Sequence, residues 1–164
     1  VSPSDEVFYL GDFAFGRGAK PPLVSELLAS LNGQISLVQG NHDPRLERCL
    51  DLGFKQVWRE HTLPLAGREV RLCHFPYPDP AAQGEWEDKH ISRRPQPDGR
   101  WLLHGHVHGL WRERPELKMI NVSVERWGLA PVSAPELELI INTHDPLPQA
   151  LPPQSPTPQN KESL

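Results

Sequence analysis

Residues 35–44 read Ile-Ser-Leu-Val-Gln-Gly-Asn-His-Asp-Pro, and this stretch decides the fold. A short apolar run that ends in glycine and polar residues is typical of a buried strand whose C-terminal end carries functional side chains. Residues 7–12, Val-Phe-Tyr-Leu-Gly-Asp, repeat the pattern nearer the N-terminus. Apolar residues at helical spacing follow each of the two stretches. The sequence therefore predicts strand, loop and helix twice over, and with them an α/β fold built on a parallel sheet.

Further strands and helices are predicted along the chain. Asn32 and Gly33 close the first helix, Gly53 closes the second, and Ser133 with Glu136 forms a capping box that opens the third. Two of the later strands end in histidine. The predicted strands are 7–10, 35–38, 70–74, 101–104 and 119–124, and the predicted helices are 21–31, 45–52 and 133–141.

Composition and charge favour a single domain and exclude several classes of partner. The chain has 164 residues and a net charge of -4, which gives no basic surface for binding nucleic acid polymers. No apolar run approaches the roughly 18 residues that span a bilayer. Cys49 and Cys73 lack the spacing of a zinc site and are predicted to be reduced thiols in the core. We therefore expect a cytoplasmic protein without a membrane partner.

The C-terminal segment differs in character from the rest of the chain. Prolines recur between Pro146 and Pro158, and large apolar residues are nearly absent there. Such a segment buries too little apolar surface to offset the entropy of ordering. Residues 1–145 are predicted to form the domain, and residues 146–164 a disordered tail.

Four predicted strands end in side chains that bind metals. In open α/β sheets ligands bind outside the carboxyl ends of the strands, so these side chains are expected to converge on one crevice. A set of carboxylate, amide oxygen and imidazole, without thiolate, suits a catalytic Mn²⁺, Fe or Zn²⁺ site better than structural zinc. The candidates are Asp12, Asn41, His42, Asp43, His74, His104, His106 and His108.

The order of these motifs resembles that of a known family. Gly11-Asp12, the stretch 40–43, His74 and the stretch 105–108 are similar to the GD, GNHD, H and GHxH motifs of calcineurin-like metallophosphoesterases. The resemblance covers residues 7–130. It implies the αββα sandwich of that family and a hydrolase, either a phosphatase or a phosphodiesterase. The expected substrate is a small-molecule or nucleotide phosphate ester, attacked by a metal-activated water at a binuclear centre.

The resemblance also implies roles for individual residues. Asp12 would bridge two divalent ions, with Mn²⁺ the first choice and Fe or Zn²⁺ the alternatives. Asn41, His74 and His106 would complete the second metal site, and His108 would bind the ion of the first.

Two further residues receive catalytic roles from the same resemblance. His42 would protonate the leaving oxygen or stabilise the transition state, and Asp43 would orient the His42 imidazole. Asp43 is also placed to cap the helix that follows Pro44. Both roles are compatible.

One motif of the family is absent. The Asp-x-His that opens the family pattern has no counterpart before Asp12, because Asp5-Glu6 is not followed by histidine. The resemblance then predicts a domain that lacks its first strand, with only Asp12 and His108 left for the first ion. The alternative function is a truncated, weak or inactive remnant that binds a single metal.

Other interpretations of these residues are structural. Asp12 alone would be a turn residue, His74 alone a core histidine, and His104 is predicted to support the site without binding metal. The metallo-β-lactamase pattern HxHxDH is excluded, since His108 and Gly109 stand where it needs Asp and His. Two interpretations stay open for four cations, a phosphate clamp near the crevice or a solvated face, and they are Arg17, Lys20, Arg93 and Arg94. No function is assigned to His61, His90 and His144.

Overall fold

A computed structural model describes residues 1–13, 21–79 and 90–147. The predicted disordered tail lies almost wholly outside these ranges, as do Arg17 and Lys20. Within them the chain is a mixed α/β structure with two sheets, as the sequence predicts for its fold class. No helix of the described part is long and apolar enough to cross a membrane.

The first sheet contains the two strands that deliver the leading motifs. Its parallel strands β1 (Glu6–Tyr9), β2 (Gln34–Val38) and β3 (Val57–Trp58) lie in the order β1-β2-β3. Val7 of β1 pairs with Ile35 of β2. Helices α1 (Pro21–Ser30) and α2 (Leu46–Leu52) lie between these strands in sequence. Because β1 and β2 are parallel and in register, their carboxyl ends deliver the following loops to the same edge.

The second sheet combines antiparallel and parallel pairs. The strands are β4 (Glu60–Leu65), β5 (Arg68–Cys73), β6 (Trp101–His104), β7 (Glu113–Arg114) and β8 (Met119–Asn121). They follow the order β4-β5-β6-β8-β7 in the sheet. Ala66 and Gly67 join the β4–β5 hairpin, and both have positive φ, as a type I′ turn requires. The parallel pairs are β5–β6 and β6–β8.

Apolar side chains join the two sheets. Val38 of β2 belongs to the same buried cluster as Val70 of β5 and Trp101 of β6. Helix α3 (Ala134–His144) contributes Leu137 to that cluster. A second cluster packs α1 and α2 against β2, so helices cover one face of the first sheet. The two sheets thus pack against each other, and this packing fixes the positions of their strand ends.

Several predicted element boundaries need correction. The strand predicted at 119–124 is wrong beyond Asn121, because Val124–Arg126 forms a 3₁₀ turn. The Asn121 side-chain oxygen accepts the Ser123 N–H, which bends the chain away from the sheet. Helix α2 begins at Leu46, and α3 continues past the predicted end to His144. The capping box is confirmed, since the Glu136 carboxylate accepts hydrogen bonds from the N–H and hydroxyl of Ser133.

Candidate functional site

The ends of β1, β2, β5 and β6 meet at one place. The imidazole Nδ1 of His74, just after β5, lies 2.8 Å from the Leu10 carbonyl oxygen after β1. The Gly105 N–H, after β6, donates to the His74 carbonyl oxygen at 3.1 Å. Loops from both sheets are therefore joined by direct hydrogen bonds, and the side chains they carry come together.

Two glycines permit this close approach. At Gly11, where φ is 90°, a Cβ would overlap the His74 ring and lie 2.7 Å from the Gly40 Cα. At Gly40 a Cβ would overlap the Asp12 carboxylate and lie 2.6 Å from the Asp12 amide nitrogen. Atoms at these separations are inside van der Waals contact, so any side chain would push the two loops apart.

Three atoms that could bind a metal lie close to the Nε2 of His74. The His74 Nε2 lies 3.1 Å from the Asn41 Oδ1, 3.1 Å from the His106 Nδ1 and 3.3 Å from the Asp12 Oδ2. Ligands about 2.1 Å from a common ion lie roughly 3.0–3.4 Å from each other in octahedral or tetrahedral geometry. The three distances from the His74 Nε2 fall within this range.

The protonation of His74 follows from its second hydrogen bond. A backbone carbonyl only accepts hydrogen bonds, so the His74 Nδ1 carries a hydrogen and donates it to Leu10. In the neutral ring the Nε2 then presents a lone pair to the oxygens of Asp12 and Asn41, which are also acceptors. A proton on Nε2 or a cation between these atoms relieves the repulsion between their lone pairs. A divalent cation accepts the lone pairs of all the atoms together. A ring nitrogen held by a carbonyl is also typical of metal-binding histidines.

Asp12 is ionised at neutral pH. Burial raises the pKa of its carboxyl. When the His74 Nε2 carries a proton, its hydrogen bond and charge, with the N–H of His42, outweigh burial and lower the pKa to about 2. Its second oxygen, Oδ1, accepts the His42 N–H at 2.9 Å. The carboxylate therefore faces His74 with one oxygen and fixes the β2 loop with the other.

His106 is held as a neutral imidazole. Burial lowers the pKa of its ring to about 4, and the nearby positive charges of His74 and Arg94 act in the same direction. Its Nε2 is buried and has no hydrogen-bond partner among the residues described. A neutral ring with one nitrogen beside the other donors is the form of histidine that binds metal.

Strained backbone accumulates at this site. Asp12, His106 and His108 have φ values of 58°, 62° and 50°, and His90 beside them has 64°. Residues with a Cβ adopt such angles infrequently, although Asp and His tolerate them better than most. Strain of this kind is often concentrated where a fold positions functional groups.

Asp43 fastens the two loops of the first sheet. Its Oδ2 accepts the N–H groups of Asp12 and Gly40 at 2.7 and 2.8 Å, and its Oδ1 accepts the N–H of Phe13 at 2.9 Å. The prediction that Asp43 caps the following helix is wrong, because the N-cap of α2 is Arg45, without a side-chain cap. Its predicted role in orienting His42 stays a prediction.

The side chains of His42 and His108 are more exposed than those clustered around His74. The His42 side chain is exposed, although its backbone is fixed by Asp12. The His108 side chain is 73% exposed, and its Nδ1 lies 3.7 Å from the Glu125 carboxylate. Of the predicted metal ligands, the structure brings together Asp12, Asn41, His74 and His106, and directs His108 to a different neighbour.

His104 is fully buried beside the site. Its Nδ1 lies 2.7 Å from the Gly105 carbonyl oxygen, and its ring packs against Trp111. Burial lowers the pKa of the ring to about 3 despite that hydrogen bond, so the imidazole is neutral. This environment agrees with the structural role that the sequence predicts for His104.

Asn121 was missed by the sequence analysis. This buried residue pairs with His104 across β6 and β8, and its amide donates to the carbonyl oxygens of His108 and Trp111 at 2.7 and 2.6 Å. Its side-chain oxygen accepts the Ser123 N–H. Asn121 therefore closes the loop that carries His106. An asparagine at the end of a short apolar strand is the signal that could have revealed it.

Replacing Asn121 by alanine is expected to destabilise the protein by about 2–3 kcal/mol, because buried carbonyl and N–H groups would lose their partners. Urea unfolding measures this change, and the exposed Asn32→Ala serves as the matched control. A loss below about 1 kcal/mol would show that the loop does not depend on Asn121.

Among residues 1–13, 21–79 and 90–147, no group of three or more His, Cys, Asp and Glu side chains is arranged as a ready-made metal cage. Asp12, His74 and His106 are of those types, so the structure does not hold these three side chains in the arrangement of a formed metal site, and Asn41 adds an amide oxygen beside them. The fit to a cation rests on the donor distances and on the lone pairs that face one another.

Comparisons with known proteins extend over most of the chain. It is 28% identical over 160 residues to the Gene 66 protein of Mycobacterium phage L5, covering 87% of this chain and 75% of that protein. It is 32% identical over 146 residues to the uncharacterized protein MJ1445 of Methanocaldococcus jannaschii, covering 86% of this chain and 66% of that protein. No family model matches the chain.

A solved structure is also similar. The protein of unknown function AQ665 from Aquifex aeolicus has a TM-score of 0.61 and 25% identity, with 86% of this chain and 78% of that chain covered. The α/β architecture described here is therefore shared, over most of its length, with a protein whose structure is known.

Proposed function

We propose that this chain is a metal-dependent phosphoesterase that resembles the calcineurin-like metallophosphoesterases, with the αββα sandwich of that family. The observation that carries this proposal is the meeting of the Asp12, Asn41, His74 and His106 donor atoms at the ends of four strands. The same residues stand in the order of the family's motifs.

These four residues would hold a divalent cation, with Mn²⁺ the first choice and Fe or Zn²⁺ the alternatives. The chemistry that such an ion supplies is Lewis acidity, which activates water and neutralises charge on phosphoryl oxygens. Asp12 contributes the negative charge of the set, since its pKa of about 2 keeps the carboxylate ionised.

Other groups of the chain position the metal-binding side chains, and one donates a proton. The Leu10 carbonyl fixes the His74 tautomer, and Asp43 keeps the Asp12 and Gly40 backbones together. His42 is exposed at the rim, with its backbone bonded to Asp12, so its ring can meet a leaving group from the solvent side. We assign it the donation of a proton to the leaving oxygen.

A second candidate function is a module that binds one ion without turnover. The observation in its favour is that His108 faces Glu125 and stands apart from the donors around His74. This alternative predicts one bound ion per chain and no hydrolysis.

Hydrolysis of an aryl phosphate monoester and an aryl diester in Mn²⁺, together with a metal count, tests the proposal. We expect activity that falls at least about 100-fold in Asp12→Asn, since the variant loses the negative charge of the site. His42→Ala should lower kcat with little change in the number of bound ions.

The exposed Asp51→Asn is the matched control for Asp12→Asn and should keep full activity. One bound ion with no turnover in the unmutated chain would favour the binding module. Activity that survives Asp12→Asn would contradict the proposed centre.

A further inference from the structure

A short turn outside the predicted motifs reaches the candidate site. Ile91–Arg93 forms a 3₁₀ turn that follows His90. The His90 ring lies 5.8 Å from the His106 ring and 5.6 Å from the Phe75 ring, measured between centroids. Phe75 also contacts His106 directly, with centroids 4.8 Å apart. The sequence assigned no function to His90 and left Arg93 among four cations open as a phosphate clamp or a solvated residue. Both residues border the donor cluster.

The Arg93 guanidinium is held at the rim of the site. Its Cζ lies 4.8 Å from the centre of the Phe75 ring, and its NH2 donates to the Gly40 carbonyl oxygen at a long 3.5 Å. Gly40 immediately precedes Asn41, one of the four donors. The ring face and the weak bond place the side chain next to the centre, and among residues 1–13, 21–79 and 90–147 its other N–H groups have no recorded hydrogen bond.

The turn itself is anchored. The Arg93 N–H donates to the His90 carbonyl oxygen at 2.8 Å, and Arg94 and Pro95, which follow, are buried. Arg93 is therefore carried by a short, hydrogen-bonded turn with a buried base. A cation presented in this way loses less freedom when it binds a ligand than one on a free loop.

The charge around Arg93 favours an anion. Within the described ranges, Arg93 pairs with no carboxylate. The nearby carboxylate of Asp43 is engaged by three backbone N–H groups, and that of Asp12 faces His74 and His42. Arg93 therefore brings to this rim a positive charge that no carboxylate of the described residues pairs with. A guanidinium matches the oxygens of a phosphate group by presenting paired N–H donors.

We infer that Arg93, with His90 beside it, binds the non-bridging oxygens of a doubly charged phosphate group, which makes phosphate monoesters the substrate class of this site. The inference rests on the proposed function for the location of the phosphate. Monoesters follow because a terminal phosphate carries one more negative charge than a diester, and the rim supplies a cation to meet it.

Binding of inorganic phosphate to the Mn²⁺-loaded full chain tests the inference without requiring turnover. Arg93→Ala is expected to weaken phosphate binding about tenfold, because it removes charge-assisted hydrogen bonds. Arg93→Lys should restore part of that loss. Arg48→Ala, an exposed arginine on α2, is the matched control and should bind phosphate as the unmutated chain does. Unchanged phosphate affinity in Arg93→Ala would overturn the inference.

Steady-state kinetics test the substrate class. With a monoester and a diester of the same aryl alcohol, Arg93→Ala should raise KM for the monoester about tenfold and for the diester less than about threefold, with kcat and metal count retained. An equal rise in both KM values, or a diester preferred by the unmutated chain, would overturn it. Absence of hydrolysis in the unmutated chain would refute the proposed function, while the phosphate titration would still decide the role of Arg93.

Discussion

Replacing His74 by alanine is expected to lower the affinity for Mn²⁺ by at least about 100-fold and to abolish phosphoester hydrolysis. Loss of a residue that only orients a metal ligand already costs roughly 10–100-fold in affinity or activity. The His74 Nε2 is the atom shared by all donor contacts, at 3.1–3.3 Å from Asn41, His106 and Asp12. Isothermal titration of Mn²⁺ into the metal-free chain measures the effect.

The buried position of His74 calls for a second variant. His106→Ala removes a donor from a less buried side chain, and we expect a similar loss of Mn²⁺ affinity with a smaller loss of stability. His144→Ala, at the end of α3, is the histidine control and should bind Mn²⁺ normally. Full Mn²⁺ affinity in a folded His106→Ala variant would rule out the donor set proposed here.

Replacing Asp43 by alanine is expected to destabilise the protein by about 3–5 kcal/mol. The substitution removes a carboxylate that accepts hydrogen bonds from the N–H groups of Asp12, Phe13 and Gly40. Those groups would lose their partner where the two loops meet. Denaturant unfolding measures the change, with the exposed Asp51→Ala as the control.

Asp43→Asn separates the two roles of this residue. The amide keeps one oxygen, which can replace Oδ2 toward Asp12 and Gly40, but it presents an NH₂ group to the Phe13 N–H. We therefore expect the free energy of unfolding of Asp43→Asn to lie between that of the unmutated chain and that of Asp43→Ala. If Asp43 also orients His42, the kcat effects of Asp43→Asn and His42→Ala will not add. Additive kcat effects would leave Asp43 with a structural role alone.

The fold class could be predicted because the strand ends are marked in the sequence. Apolar runs that finish at Gly11-Asp12 and Gly40-Asn41 do form parallel neighbours, β1 and β2, and the Gly53 stop signal does end α2. These signals are local. They depend on buried strands and on glycine at positive φ, which a single sequence displays directly.

The strands that were missed lack such signals. β4 lies at the edge of its sheet and contains Pro64, which an edge strand tolerates but which argues against a strand in sequence. β3 and β7 span two residues each, too few for any periodicity. Their formation depends on pairing with β2 and β8, so tertiary contacts and not local propensity decide them.

The candidate site was predictable in part. The strand ends predicted that eight candidate residues would converge, and the family resemblance selected Asp12, Asn41, His74 and His106 as one set. The structure places these four side chains near one another. The partners of His108 and Asp43 depend on a side chain from a distant turn and on backbone N–H groups, which no motif records. His90 has no motif of its own, since its position depends on packing against Phe75.

The central claim is that one divalent cation binds among Asp12, Asn41, His74 and His106. The most direct test is a crystal of the chain soaked in Mn²⁺, with an anomalous difference map calculated at a wavelength where manganese scatters. We expect a peak about 2.0–2.3 Å from the His74 Nε2 and within bonding distance of the other three donors. A map with no peak at these residues, from a crystal soaked at a saturating Mn²⁺ concentration, would contradict it.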